Sequence, residues 1–114
     1  MLRYAILCTA AFPALASAAE KMLSGEEIQA FLPTITAFGE STKQTFYEGG
    51  TTDYIDGGRP SVGYWRTSDT QYCSKWPPFG GWVCYDVIVD KEADELIWIG
   101  DSGKPLVNRF EINE

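Results

Sequence analysis

The sequence predicts a mainly β protein, a small antiparallel β-barrel or sandwich of about eight short strands preceded by one short N-terminal helix. Three observations lead there. Past Pro33 the chain breaks into short runs of alternating polarity, parted by Gly, Asp and Pro turns about every 8–12 residues. No helical pattern of about ten residues intervenes, which disfavours a parallel sheet. Ahead of Pro33, the segment LSGEEIQAFLP alone combines helical spacing with a start signal.

Residues 1–19, MLRYAILCTAAFPALASAA, read as a cleavable signal peptide. Arg3 supplies the positive start, Tyr4 to Leu15 the apolar run, and Ala16-Ser17-Ala18 the small-x-small pattern that signal peptidase accepts. The run is too short for a membrane span, which needs roughly 20 apolar residues. Residues 20–114 then form a single small β domain that is periplasmic or secreted, with no transmembrane segment. Cys8 leaves with the leader, so Cys73 and Cys84 remain as a pair. In an oxidising compartment such a pair becomes one disulfide.

The helix is expected over residues 24–32. Ser24 and Glu27 have capping-box spacing, Leu23 and Ile28 that of a hydrophobic staple, and Ile28, Phe31 and Leu32 form one apolar stripe. Pro33 ends it. Strands are expected at Thr34–Phe38, Gln44–Glu48, Thr52–Ile55, Ser61–Thr67, Thr70–Trp76, Gly81–Asp90, Glu95–Ile99 and Leu106–Ile112. The acidic stretch Lys91–Asp94 reads as a solvated hairpin turn.

Parity then sets a register. Val83, Tyr85, Val87 and Val89 share one face of their strand, and Trp82, Cys84 and Asp86 the other. Placing Cys73 opposite Cys84 puts Tyr72 and Trp76 on the side of Val83 and Tyr85, so both strands agree on the core side. The disulfide falls on the outer face. The core is expected to include Val83, Tyr85, Val87, Trp76 and Ile97. Trp76, Phe79 and Trp82 sit on or beside the Pro-Pro turn and form a candidate binding tip, since rigid exposed aromatics anchor interfaces. Trp82 folded over the disulfide as a lid is the competing arrangement. Tyr64 and Arg66 share a face with Val62. If that face is interior they mark a candidate ligand pocket; if it is outer, the Arg66 stem covers apolar surface.

The series Gly-Tyr-Trp, Tyr-Cys, Trp-Pro-Pro and Cys-Tyr from Gly63 to Tyr85, behind the helix LSGEEIQAFL, resembles a family of short, uncharacterised exported proteins of Gram-negative bacteria. The likeness covers nearly all of the chain past the leader. It implies a small β domain behind a signal peptide and brings no catalytic residues with it.

Composition removes several chemistries. The chain has no histidine, so Ser-His-Asp and Cys-His nucleophiles and His-ligated metals are unavailable. No metal site, cofactor or catalytic residue is expected. Without Arg3 the nine Lys and Arg become eight against sixteen Asp and Glu, a net charge of −8. Phosphate backbones repel such a chain, so no nucleic-acid partner is expected. What remains is a non-catalytic binding or interaction module of the cell envelope, meeting an envelope protein or a small ligand. The alternatives are a lipocalin-like carrier with an interior pocket and a barrel of the periplasmic protease-inhibitor kind.

Overall fold

The computed structural model describes residues 19–114; the expected leader, residues 1–19, lies outside them except for Ala19. A three-residue strand β1 (Glu20–Met22) leads into helix α1 (Gly25–Phe31) and a 3-10 turn, Leu32–Thr34. Ser24 caps the helix. Its Oγ accepts from the Glu27 backbone N–H at 3.1 Å, and its own N–H donates to Glu27 Oε1 at 2.9 Å. The expected capping box is thus complete. Lys21 Nζ donates to the other Glu27 oxygen. That bond, followed by the one from the Ser24 backbone, lowers the Glu27 carboxyl below its ordinary value. The sign follows: Glu27 steadies the helix above the ordinary carboxylate range and less as pH falls through its lowered value. Ser24→Ala should lose about 1 kcal/mol of stability, read as a lower denaturant midpoint at unchanged slope.

A helix this short needs tertiary support. Ile28 and Leu32 are wholly buried and Leu23 nearly so, all in one core. Gly25 lies directly against the turn at Ser68 and Asp69: its N–H donates to the Asp69 carbonyl at 2.7 Å, and any Cβ there would collide with the Ser68 backbone. Among the described residues no helix is long and apolar enough to cross a membrane.

Eight consecutive antiparallel strands follow: β2 (Ile35–Phe38), β3 (Thr42–Phe46), β4 (Thr51–Asp56), β5 (Arg59–Thr67), β6 (Tyr72–Lys75), β7 (Val83–Asp90), β8 (Glu95–Ile99) and β9 (Pro105–Ile112). Each pairs with the next, and β9 returns to β2 from Ile35↔Ile112 to Phe38↔Arg109, closing a barrel. Closure removes the bare strand edges that a small β protein must otherwise protect. The sequence reading misses β1. It pairs Glu20↔Asp90 through Met22↔Ile88, continuing along β7 where the shorter β6 has ended.

Inward positions fall into layers. The deep layer, next to the helix, is large and buried: Ile35, Phe46, Trp65, Tyr72, Val87, Leu96 and Phe110. Two expected core residues are placed differently. Val83 has inward parity but opens β7 at the barrel mouth, so it is 53% exposed. Ile97 faces outward between Ile88 and Val107, because Leu96 and Trp98 take the two inward positions of β8. The Lys91–Asp94 turn is solvated as expected, with Asp90 Oδ1 accepting from the backbone N–H groups of Glu92 and Ala93 at 3.0 Å each.

Candidate functional site: a cup at the open end of the barrel

The helix fills one end only. At the other end, between the turns after β2, β4, β6 and β8, the barrel holds a cavity of about 710 Å³. It exists because the inward residues shrink toward the mouth. Ala37, Gly39, Ser61 and Ser74 line it, where the layer below carries Ile35, Phe46, Trp65 and Tyr72. Aromatic rings make much of the wall. Tyr72 and Trp98 pack at 5.0 Å between centroids, Tyr85 sits 6.3 Å from Tyr72, and Tyr54 meets Trp76 edge-on at 5.7 Å.

Trp76 owes its place to Gly63. A Cβ on Gly63 would come within 2.6 Å of the indole, so only glycine lets the ring lie flat against β5. Trp76 Nε1 donates to Ser74 Oγ at 3.1 Å, which fixes the ring from its polar side.

The polar groups of the cup are few and mostly partnered. Thr52 Oγ1 donates to the Thr45 carbonyl at 2.8 Å and must therefore accept from Gln44 Nε2, 3.0 Å away. That assignment also aims Gln44 Nε2 at the Tyr72 hydroxyl, 3.4 Å away. Among the described residues, Gln44 Oε1 has no hydrogen-bond partner and stays available as an acceptor. Trp98 Nε1 donates to Asn108 Oδ1 at 2.8 Å. Burial pushes the Tyr72 phenol up to about 12, so it remains a neutral hydroxyl at any physiological pH. A group raised in the folded state adds stability below its ordinary value, near 10, and loses it as pH rises through about 12. An alkaline titration followed by tyrosinate absorbance should show one phenol ionising late, together with unfolding.

Among the described residues no lysine or arginine lines the cup, and Glu40 at the rim is the one carboxylate that does. Among the described residues, no three of Cys, Asp and Glu converge as a metal-binding group. No family model, curated protein or solved structure matches this chain. The geometry of the cup therefore carries the functional reading by itself.

The disulfide Cys73–Cys84 is formed across directly paired positions on the outer face, the register read from parity. The tip divides. Trp76 and Phe79 line the cup, with Phe79 76% exposed at its mouth. Trp82 stands outside, under the Arg66 guanidinium at 3.9 Å with Lys75 Nζ at 5.9 Å. Arg66 pairs with Cys73 on the neighbouring strand, which sets the stack beside the disulfide; Cys73 is only 4% exposed. A pocket around Tyr64 and Arg66 is not what the barrel builds. Both point outward because Gly63 and Trp65 take the inward positions of β5, and Tyr64 is 49% exposed. The sequence reading misses Gln44, Tyr54, Ser74 and Trp98. The signal that could have found them is the period-2 continuation Phe46–Gln44, Thr52–Tyr54, Tyr72–Ser74 and Leu96–Trp98, in which each deep residue is followed by a cup residue toward the mouth.

Proposed function

We propose that this protein is a non-catalytic binding module that holds a small, largely apolar molecule in the open end of its barrel, a carrier of the lipocalin kind. The supporting observation is the cup: about 710 Å³, within the roughly 300–1,000 Å³ usual for small-molecule sites, aromatic in lining and sparing in polar groups. The deep layer and helix plug leave one way in. The reading gives the chain no chemical step, in line with a sequence lacking histidine. It places the protein in the periplasm or outside the cell, as a member of the exported group it resembles. The leader-like residues 1–19 and the formed disulfide support that placement. The intact mass of protein recovered from the cell envelope checks it, as loss of the leader and of two hydrogens.

The binding test uses N-phenyl-1-naphthylamine, a neutral dye that fluoresces on leaving water. Saturable one-to-one binding is expected, weakened at least tenfold by Ser61→Trp, which puts a bulky ring at an exposed lining position. Absence of saturable binding by the unaltered protein, or equal binding by the variant, overturns the reading. A second reading, a protein partner seated on the rim in the manner of an inhibitor barrel, draws on the exposure of Phe79. Phe79 lines the cup, so Phe79→Ser should weaken dye binding under either reading; only under the rim reading does it also abolish capture of a protein partner.

A further inference from the structure

We infer that the ligand of this cup is an organic cation: an ammonium-bearing molecule with an apolar body and a hydrogen-bond donor at its far end. The inference rests on the proposed small-molecule site and goes on to name the chemistry it selects.

Charge and ring geometry together carry it. Ring faces are negative and attract cations, most strongly for tryptophan. The protein's own cations engage aromatics away from the cup: Arg66 lies over Trp82, and Arg109 over Phe38. Among the described residues no such cation lines the interior. Trp76 packs its ring on Gly63 and lines the cavity, with Tyr54 at 5.7 Å completing a corner of two rings. No Lys or Arg is among the described residues that line this corner.

The surroundings favour the same sign. Residues past the leader carry eight Lys and Arg of the chain's nine, against sixteen acids, and a low-dielectric cup concentrates the resulting negative potential. Glu40 adds a carboxylate at the rim. An anion would enter against this field and find no Lys or Arg among the described residues that line the cup. Deeper in, Gln44 Oε1 is the open acceptor, since its amide nitrogen is committed to Thr52 and Tyr72. It suits a hydroxyl or N–H at the opposite end of the ligand from the ammonium.

Three probes of one shape isolate the charge: (4-hydroxyphenyl)trimethylammonium, 4-tert-butylphenol and 4-hydroxybenzenesulfonate, titrated calorimetrically at neutral pH. The ammonium should bind about tenfold tighter than the tert-butyl compound, a difference of about 1.4 kcal/mol. The sulfonate should bind at least tenfold more weakly than the tert-butyl compound. Glu40→Gln, on an exposed turn, should weaken the ammonium two- to threefold more than it weakens 4-tert-butylphenol. Trp76→Leu should erase the preference for the ammonium while 4-tert-butylphenol still binds. Equal affinity for ammonium and tert-butyl, with N-phenyl-1-naphthylamine still bound, overturns the cation inference and leaves the carrier reading standing. A preference that survives both substitutions overturns it as well. If neither the three probes nor the dye binds, both readings fall.

Discussion

Phe46→Ala is expected to cost about 3–5 kcal/mol, toward the upper end of that range. The ring is 1% exposed and lies 6.0 Å from Trp65, 5.9 Å from Tyr72 and 6.1 Å from Trp98. Deleting a buried ring costs least where neighbours can collapse into the space. Here each neighbour is tethered. Trp65 Nε1 donates to the Tyr47 carbonyl at 2.9 Å, Trp98 Nε1 to Asn108 at 2.8 Å, and the Tyr72 hydroxyl faces Gln44. A void should persist beneath the cup. Since small domains hold only about 5–15 kcal/mol in total, the variant should sit near its unfolding threshold. Urea unfolding monitored by tryptophan emission reads the loss. A cost below about 1.5 kcal/mol would mean the three tethered rings do close in, and the packing argument would fail.

Removing the disulfide has the next largest effect. Cys73 and Cys84 are 11 residues apart, and a cross-link over such a loop contributes about 3 kcal/mol in the chain-entropy model. Cys73→Ala with Cys84→Ala should therefore lower Tm by roughly 12–24 °C in a domain of this size. The Trp76–Trp82 turn is then held by its ladder alone, and dye binding should weaken with it, because Trp76 and Phe79 line the cup. The Arg66–Trp82 stack gives an independent check. Trp82→Ala removes the ring that stacks on Arg66, the cross-strand neighbour of Cys73, so reduction by dithiothreitol should run severalfold faster while the oxidised variant stays folded. An unchanged reduction rate would show that the stack does not shield the sulfurs.

How much of this was legible depended on whether a residue's neighbours are local. The capping box spans four residues, and the sequence declares it. The alternation along β7 is unbroken at Val83, Tyr85, Val87 and Val89, so its inner side could be read and the cysteine register followed. In β8 the run Leu96-Ile97-Trp98-Ile99 is apolar on both sides, because outward Ile97 has Ile88 and Val107 for cross-strand neighbours. Parity there carries no information. In β5 the exposed side holds Tyr64 and Arg66, side chains that suit either environment, and only Trp82, far along the chain, settles the matter. β1 is three residues with no pattern of their own, formed because β6 ends early and leaves part of β7 unpaired. The cup escaped the reading for a different reason. A void is a sum over many strands, and no single strand announces that Ala37, Gly39, Ser61 and Ser74 together leave room.

One consequence of the ring's order concerns how it is made. Its last seam joins β2 to β9, the earliest and the latest barrel strands to emerge during synthesis, which proceeds from the N-terminus. Until Pro105–Ile112 arrive, β2 and β8 each present an unmated border, so the newborn chain is a curled ribbon that can zip onto a sibling. A product ending before Pro105 would be no shallower vessel but an adhesive strip, and whatever guards the nascent protein must hold on until Pro105–Ile112 are free.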